Sequence, residues 1–191
     1  MSVEIVFETH SLSTDNEAGI ATGWLPGELS ERGKLGAREL GERRRQERVD
    51  AVYTSDSRRA VETAELAFGD SGIPIHRDPR LRECDYGELN GRPATEVERE
   101  RGRRVDEPFP GGESYRQVVV RMRSFLDQLA AERDAGRVVV IGHSATRWAL
   151  EHLLEGVPLE ELVNAPFRWQ EGWVYELTGS TESTAARSEP T

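Results

Sequence analysis

The sequence predicts an α/β fold, a three-layer α/β/α sandwich around a mostly parallel sheet. Three observations carry that expectation. Short strand-like runs at 3–8, 51–54 and 138–141 alternate with longer segments of helical periodicity, the pattern of strands joined by helical crossovers. Two of these runs close on a histidine, His10 and His143. Ligands of open α/β sheets gather beyond the carboxyl ends of the strands, so neighbouring strands would bring both imidazoles into one crevice. Finally, 191 residues with 36% hydrophobic content suffice for one substantial core.

The elements follow in order. Residues 3–8 read as a buried strand. Residues 9–29 read as a long loop punctuated by Gly19, Gly23, Pro26 and Gly27. Ser30 caps a helix with Gly33 in its first turn and Leu35, Ala37 and Leu40 on its apolar side. Strand 51–54 follows, and Ser55 or Asp56 caps a helix running through Ala60, Ala64 and Ala67 to Gly69. Residues 73–75 and 79–81 read as short extended pieces. Residues 82–112 form an irregular insert with a helical stretch near 93–101 and breakers at Pro108 and Pro110. A strong helix opens at Ser114, keeps the 3.6 period through Val118, Met122, Phe125 and Leu129, and is ended by Gly136. After strand 138–141 comes a helix at 145–154, then closing edge strands at 167–169 and 173–177 arranged as a hairpin. Residues 1–177 are expected to form one domain, and the Ser/Thr/Glu-rich stretch 178–191 a disordered tail. An exposed edge near 173–177 would suit pairing into a homodimer.

Composition narrows the function. A net charge of −10 opposes nonspecific nucleic-acid binding. No apolar stretch approaches the ~20 residues of a membrane span, and the chain enters a strand directly after Met1-Ser2, so no membrane association and a cytoplasmic location are expected. Cys84 is the only cysteine, which excludes an internal disulfide framework and any cysteine metal cluster; no metal and no cofactor are expected. Lys34 is the only lysine, so the chain's other basic side chains are guanidinium forks suited to bidentate phosphate contacts.

The chemistry-bearing residues converge on phosphorus. His10 stands at a strand-to-loop junction, where a neutral imidazole could attack phosphorus as a nucleophile. Arg59 falls in the first turn of the helix after the second strand, where free N–H groups and the dipole already favour an anion. His143 can add a donor to the same nonbridging oxygens. Glu83 is the candidate acid for the leaving group and later the base for water, with Asp85 as its substitute. A different reading takes Gly142-His143-Ser144-Ala145-Thr146 as part of a G-x-S-x-G serine elbow. Thr146 in place of the last glycine, and His152 as the sole later histidine, oppose it.

The motifs around these residues resemble the histidine phosphatase superfamily, the phosphoglycerate mutase-like proteins. That family opens on R-H-G-E-T-x-x-N and G-W-x-D-x-x-L-T-x-x-G; here stand Thr9-His10-Ser11 through Asn16, then Gly23-Trp24 through Ser30 and Gly33. Ser55, Arg59, Ala60, Thr63 and Ala64 match its S-x-x-x-R-A-x-x-T-A. Leu81, Glu83, Gly87 and Gly91 match its acidic motif, and Pro110 through Ser114 resembles P-x-G-E-S. The resemblance spans about residues 3–177. It implies a phosphoglycerate mutase-like fold, a phosphohistidine on His10, phosphate ligands at Arg59 and His143, proton donation by Glu83 and a phosphate pocket shaped partly by Asn16.

Departures from the motif matter. The arginine before the nucleophile is Thr9, and glycines are replaced by Ser11 and Ser144, whose hydroxyls could contact the phosphate. Arg147, one helical turn beyond His143, is the first candidate to replace the missing guanidinium, with Arg82 and Arg58 behind it. Mutases of the family carry a longer insert after the acidic motif, whereas about 27 positions separate Gly87 from Ser114 here. The expected activity is therefore hydrolysis of a small phosphate monoester. The alternatives are an altered site serving binding or other chemistry, and, behind it, a mutase or phosphotransferase.

Overall fold

The structure, a computed structural model, describes residues 2–178. Its elements are β1 (Ser2–Thr9), α1 (Thr14–Glu17), β2 (Ile20–Ala21), α2 (Glu31–Arg44), β3 (Ala51–Thr54), α3 (Arg58–Phe68), β4 (Ile75–Arg77), β5 (Arg92–Pro93), α4 (Ala94–Glu100), α5 (Tyr115–Glu132), β6 (Gly136–Gly142), α6 (Ser144–Glu155), α7 (Leu159–Asn164) and β7 (Trp173–Thr178). The main sheet has the order β4-β3-β6-β1-β7, with β7 antiparallel to β1 and the other neighbours parallel. β2 and β5 form a separate two-stranded pair.

Each face of the sheet buries its own core. Ile5, Phe7, Val138 and Val140 pack with Met122, Phe125 and Trp148 of α5 and α6. Val6, Val52, Val139 and Ile141 pack with Leu40, Ala60 and Ala64 of α2 and α3. Successive strand side chains point to opposite faces, so apolar runs without alternation mark strands covered on both sides. This is the predicted three-layer α/β/α sandwich.

Several boundaries differ from the sequence reading. The helix after β3 is capped at Ser57 rather than Ser55 or Asp56. Residues 79–81 form a single 3₁₀ turn, because Asp78 caps the Arg80 N–H and Pro79 sits at the first position. Helix α5 ends at Glu132; Gly136 instead opens β6 at a φ of 125°, a conformation that favours glycine. Residues 9–29 hold the short α1 and β2. The expected hairpin of 167–169 with 173–177 does not form: residues 167–169 are irregular, and β7 pairs with β1. Helix α7, with Leu159, Leu162 and Val163 buried, was not anticipated. Thr178 ends β7, and residues 179–191 of the expected tail lie outside the described residues.

The register sets up the site. Thr9 lies opposite Gly142, His10 N–H donates to the Gly142 carbonyl at 3.0 Å, and Ser55 N–H donates to the Ile141 carbonyl at 2.9 Å. Three adjacent parallel strands therefore stop at one level, and the residues after them face one crevice.

Candidate active site

Beyond these strand ends lies a cleft of about 820 Å³, whose lining includes His10, Arg59, Glu83 and His143. His10 and His143 come from adjacent strands, and their ring centroids are 5.0 Å apart. Arg59 lies between them. Its Nε donates to His10 Nε2 at 3.2 Å, and its Nη2 is 3.3 Å from His143 Nδ1. The same guanidinium donates to the carbonyls of Gly23 (3.0 Å) and Leu25 (3.4 Å), tying down the loop before α2. Gly23 has a φ of 54°, and a Cβ there would strike the Asn90 side chain. Gly33, in the first turn of α2, lies so close to the Leu12 carbonyl that a side chain would not fit. These two glycines of the second motif thus serve close backbone packing around the site.

The imidazoles are held in complementary orientations. His10 Nδ1 is 2.7 Å from the Ser11 carbonyl, which fits a proton on Nδ1 and a lone pair on Nε2. His143 Nε2 is 3.2 Å from Ser57 Oγ, and the Thr146 hydroxyl accepts from the His143 N–H and donates to its carbonyl. Burial, and then the Arg59 charge, push His10 down to about 3 against the bonus of the Ser11 carbonyl. The same two causes, with His10 itself, hold His143 well below the ordinary histidine range. Both rings are therefore neutral near pH 7.

Glu83 is 8% exposed. Its Oε1 accepts from Cys84 N–H at 2.8 Å and from Ala145 N–H, in the first turn of α6, at 3.2 Å. Those donors and Arg59 favour the carboxylate, but burial outweighs them and raises its pKa. The Glu83 backbone is fixed as well: its carbonyl accepts from Trp24 Nε1 at 2.7 Å and from Arg121 Nη2 at 2.9 Å, and Arg121 pairs with Glu113 at 3.0 Å. The Pro110–Ser114 motif, which the sequence reading took only as a helix start, thus anchors the Glu83 segment.

Arg59 is 2% exposed, and no carboxylate lies within ion-pair distance of it among the described residues. Burial lowers its pKa against the pull of Glu83, Tyr86 and Asp15. An unpaired buried cation is costly, so the cleft floor is prepared for an anion.

The remaining expected residues divide into two sets. Ser11, Asn16 and Ser144 line the cleft. The Asn16 amide oxygen is committed to the Ser13 N–H in the α1 capping box, which leaves its NH₂ end for a ligand. Arg147 and Arg82 do not line the cleft, which corrects their expected placement as substitutes for the missing arginine. Arg147 pairs with Glu151 and lies over the Trp173 ring at 5.1 Å. Arg82 is bound bidentately by Asp56 at 2.6 and 2.7 Å and stacks on Trp24 at 4.8 Å. Arg58 is taken by Glu28 and Glu62, and Asp85 accepts from Gly87 N–H and Asn90 within the insert. In each case a carboxylate or a local turn claims the group first.

The sequence reading missed Ser57, which contacts His143, and Thr63, whose hydroxyl accepts the Ser11 N–H at 3.0 Å. Both sit within the matched S-x-x-x-R-A-x-x-T-A stretch, so that motif was the available signal. Trp169, in the stretch expected to form an edge strand, is exposed and lines the cleft.

With this geometry in view, the chain belongs to the histidine phosphatase superfamily (branch 1), whose family model matches residues 5–187. It is 30% identical to phosphoserine phosphatase 1 of Hydrogenobacter thermophilus over 167 residues, covering 83% of this chain and 79% of that protein. It is 27% identical to a 2,3-bisphosphoglycerate-dependent phosphoglycerate mutase of Bifidobacterium longum, covering 99% of this chain and 92% of the mutase. The fold superposes on that of Bacillus stearothermophilus YhfR with a TM-score of 0.78 at 26% identity, covering 88% of each chain. The expected phosphoglycerate mutase-like fold is therefore established. No helix among the described residues is long and apolar enough to cross a membrane.

Proposed function

We propose that this protein is a phosphomonoesterase working through a phosphohistidine on His10. The observation that carries the reading is the buried Arg59 guanidinium, which has no carboxylate partner among the described residues and is hydrogen-bonded at 3.2 Å to the lone-pair nitrogen of a neutral histidine. A phosphoryl group entering the cleft supplies the missing negative charge and takes over the Arg59 donors, freeing His10 Nε2 for attack.

In the first step His10 Nε2 bonds to phosphorus while the ester P–O bond breaks. The Glu83 proton passes to the departing alkoxide. The Nδ1–H bond to the Ser11 carbonyl stabilises the phosphorylated ring. In the second step the Glu83 carboxylate takes a proton from water, the hydroxide bonds to phosphorus, and the P–N electron pair returns to His10. Arg59 and His143 hold the nonbridging oxygens throughout.

One observation favours water over a second substrate as acceptor. Arg32, Arg43 and Arg101, the other arginines lining the cleft, each stand 3.7–3.9 Å from a carboxylate, so the outer cleft offers little net charge for a second phosphate.

The test is a phosphate-release screen over sugar phosphates, phosphoglycerates and nucleotides, run on wild type, His10→Ala and Thr9→Arg. Wild type is expected to turn over simple esters, Thr9→Arg to match or exceed it, and His10→Ala to lose about 10⁴-fold or more. Silence from wild type with activity in Thr9→Arg would favour a site reworked for another ligand.

A further inference from the structure

Away from the phosphoryl pole, the cleft changes character. Seven large apolar side chains stand exposed among the described residues, and three of them, Leu35 (56%), Phe167 (40%) and Trp169 (61%), line this one cleft. Leu35 belongs to a stripe of α2 (Arg32, Leu35, Glu39, Arg43) whose helical spacing turns one face to the cleft. Phe167 and Trp169 belong to the loop between α7 and β7.

That loop is braced rather than loose. Arg44 Nη2 donates to the Glu171 carbonyl at 3.2 Å while holding the buried Glu8 at 2.7 Å. The Phe167 ring lies 6.4 Å from Trp173, which packs edge-on against Phe7 at 6.2 Å. The Phe167 ring is thus set beside β1, the strand that delivers His10.

Scattered exposed apolar residues are ordinary, but three converging on a functional cleft are not. A cleft of about 820 Å³ falls in the range that encloses ligands much larger than a three-carbon phosphate. The arginine of this region is offset by acidic neighbours: Arg43 lies 3.9 Å from both Glu8 and Glu171, and Glu39 stands on the same face of α2. Beside these charged groups stands exposed apolar surface, in the same cleft as the phosphoryl pole.

We infer that Leu35, Phe167 and Trp169 form a leaving-group shelf, which selects phosphate monoesters whose alcohol carries a bulky apolar or aromatic group. The inference rests on the phosphatase reading of the same cleft and names its substrate class.

The experiment uses two phosphonates that cannot be hydrolysed, 2-phenylethylphosphonate and ethylphosphonate, titrated calorimetrically. Wild type should bind the phenylethyl compound about tenfold more tightly, the scale of discrimination an apolar pocket supplies. The double variant Leu35→Ser, Trp169→Ser should cut that preference below about threefold. Val120→Ser, an exposed apolar position outside the cleft, should keep it. Equal affinities in wild type, failure of both compounds to bind, or a preference that survives the double variant would overturn the shelf. Turnover of the two matching phosphate esters is measured alongside. A binding preference without phosphate release would sink the phosphatase reading and leave the shelf standing.

Discussion

The two ends of the cleft are built on different principles. At the inner end, His10, Arg59 and His143 come from strand ends and a helix start, and Glu83 from a segment pinned by Trp24 and Arg121. Their polar atoms are committed to fixed partners, and burial sets their protonation states. At the outer end, Leu35, Phe167 and Trp169 come from a helix face and an irregular loop, and present apolar surface to solvent. The first end fixes what bond can be broken, since electrostatic stabilisation of a phosphoryl group tolerates little displacement. The second bears on which molecule carries that bond, and can vary without disturbing the chemistry.

The sharpest way to break this contrast is at Arg59. Arg59→Ala should lower phosphate release on every ester by about 10²–10³-fold, whatever the leaving group. Arg59→Lys should not restore it, because an ammonium cannot reach two imidazoles and two loop carbonyls in one plane. A loss confined to bulky esters would place Arg59 with the outer end instead.

Glu83 gives the next effect. As the acid for the leaving group it must carry a proton, so kcat should fall as pH rises through its raised pKa. Glu83→Gln should cost about 10²-fold and remove that basic limb. The loss should shrink for esters of acidic phenols, which leave without a proton. A limb that persists in the variant would assign the titration elsewhere.

The smallest effect concerns stability. Unfolded histidine takes up a proton near pH 6.5, whereas folded His10 resists protonation until about 3. Between those values the unfolded chain binds more protons, so the thermal midpoint should drop as pH is lowered through that window. The slope should be shallower in His10→Ala; an unchanged slope would mean that His10 is not held neutral by the fold.

The same division governs what the sequence disclosed. His10 and His143 were legible because apolar strands end on them, and Arg59 and Glu83 because their motifs hold fixed spacing around close-packed glycines. Arg82 misled because its partner Asp56 lies 26 positions away, beyond any local pattern, whereas Arg147 is claimed by Glu151 four positions on, a helical spacing the sequence does display. Residues 167–169 resemble an edge strand in composition, yet β7 pairs with β1 without them. Pairing of that kind depends on the whole sheet and leaves no local periodicity.

The most direct measurement is the covalent intermediate itself. Wild type mixed with an aryl phosphate and quenched into alkali should yield, by peptide mass spectrometry, a phosphoryl group on the His10 peptide. The modification should be labile to acid, formed in a burst matching phenol release, and absent from His10→Ala. Phenol release without any phosphorylated peptide, or with the phosphoryl group on Ser144 or His143, would contradict the account.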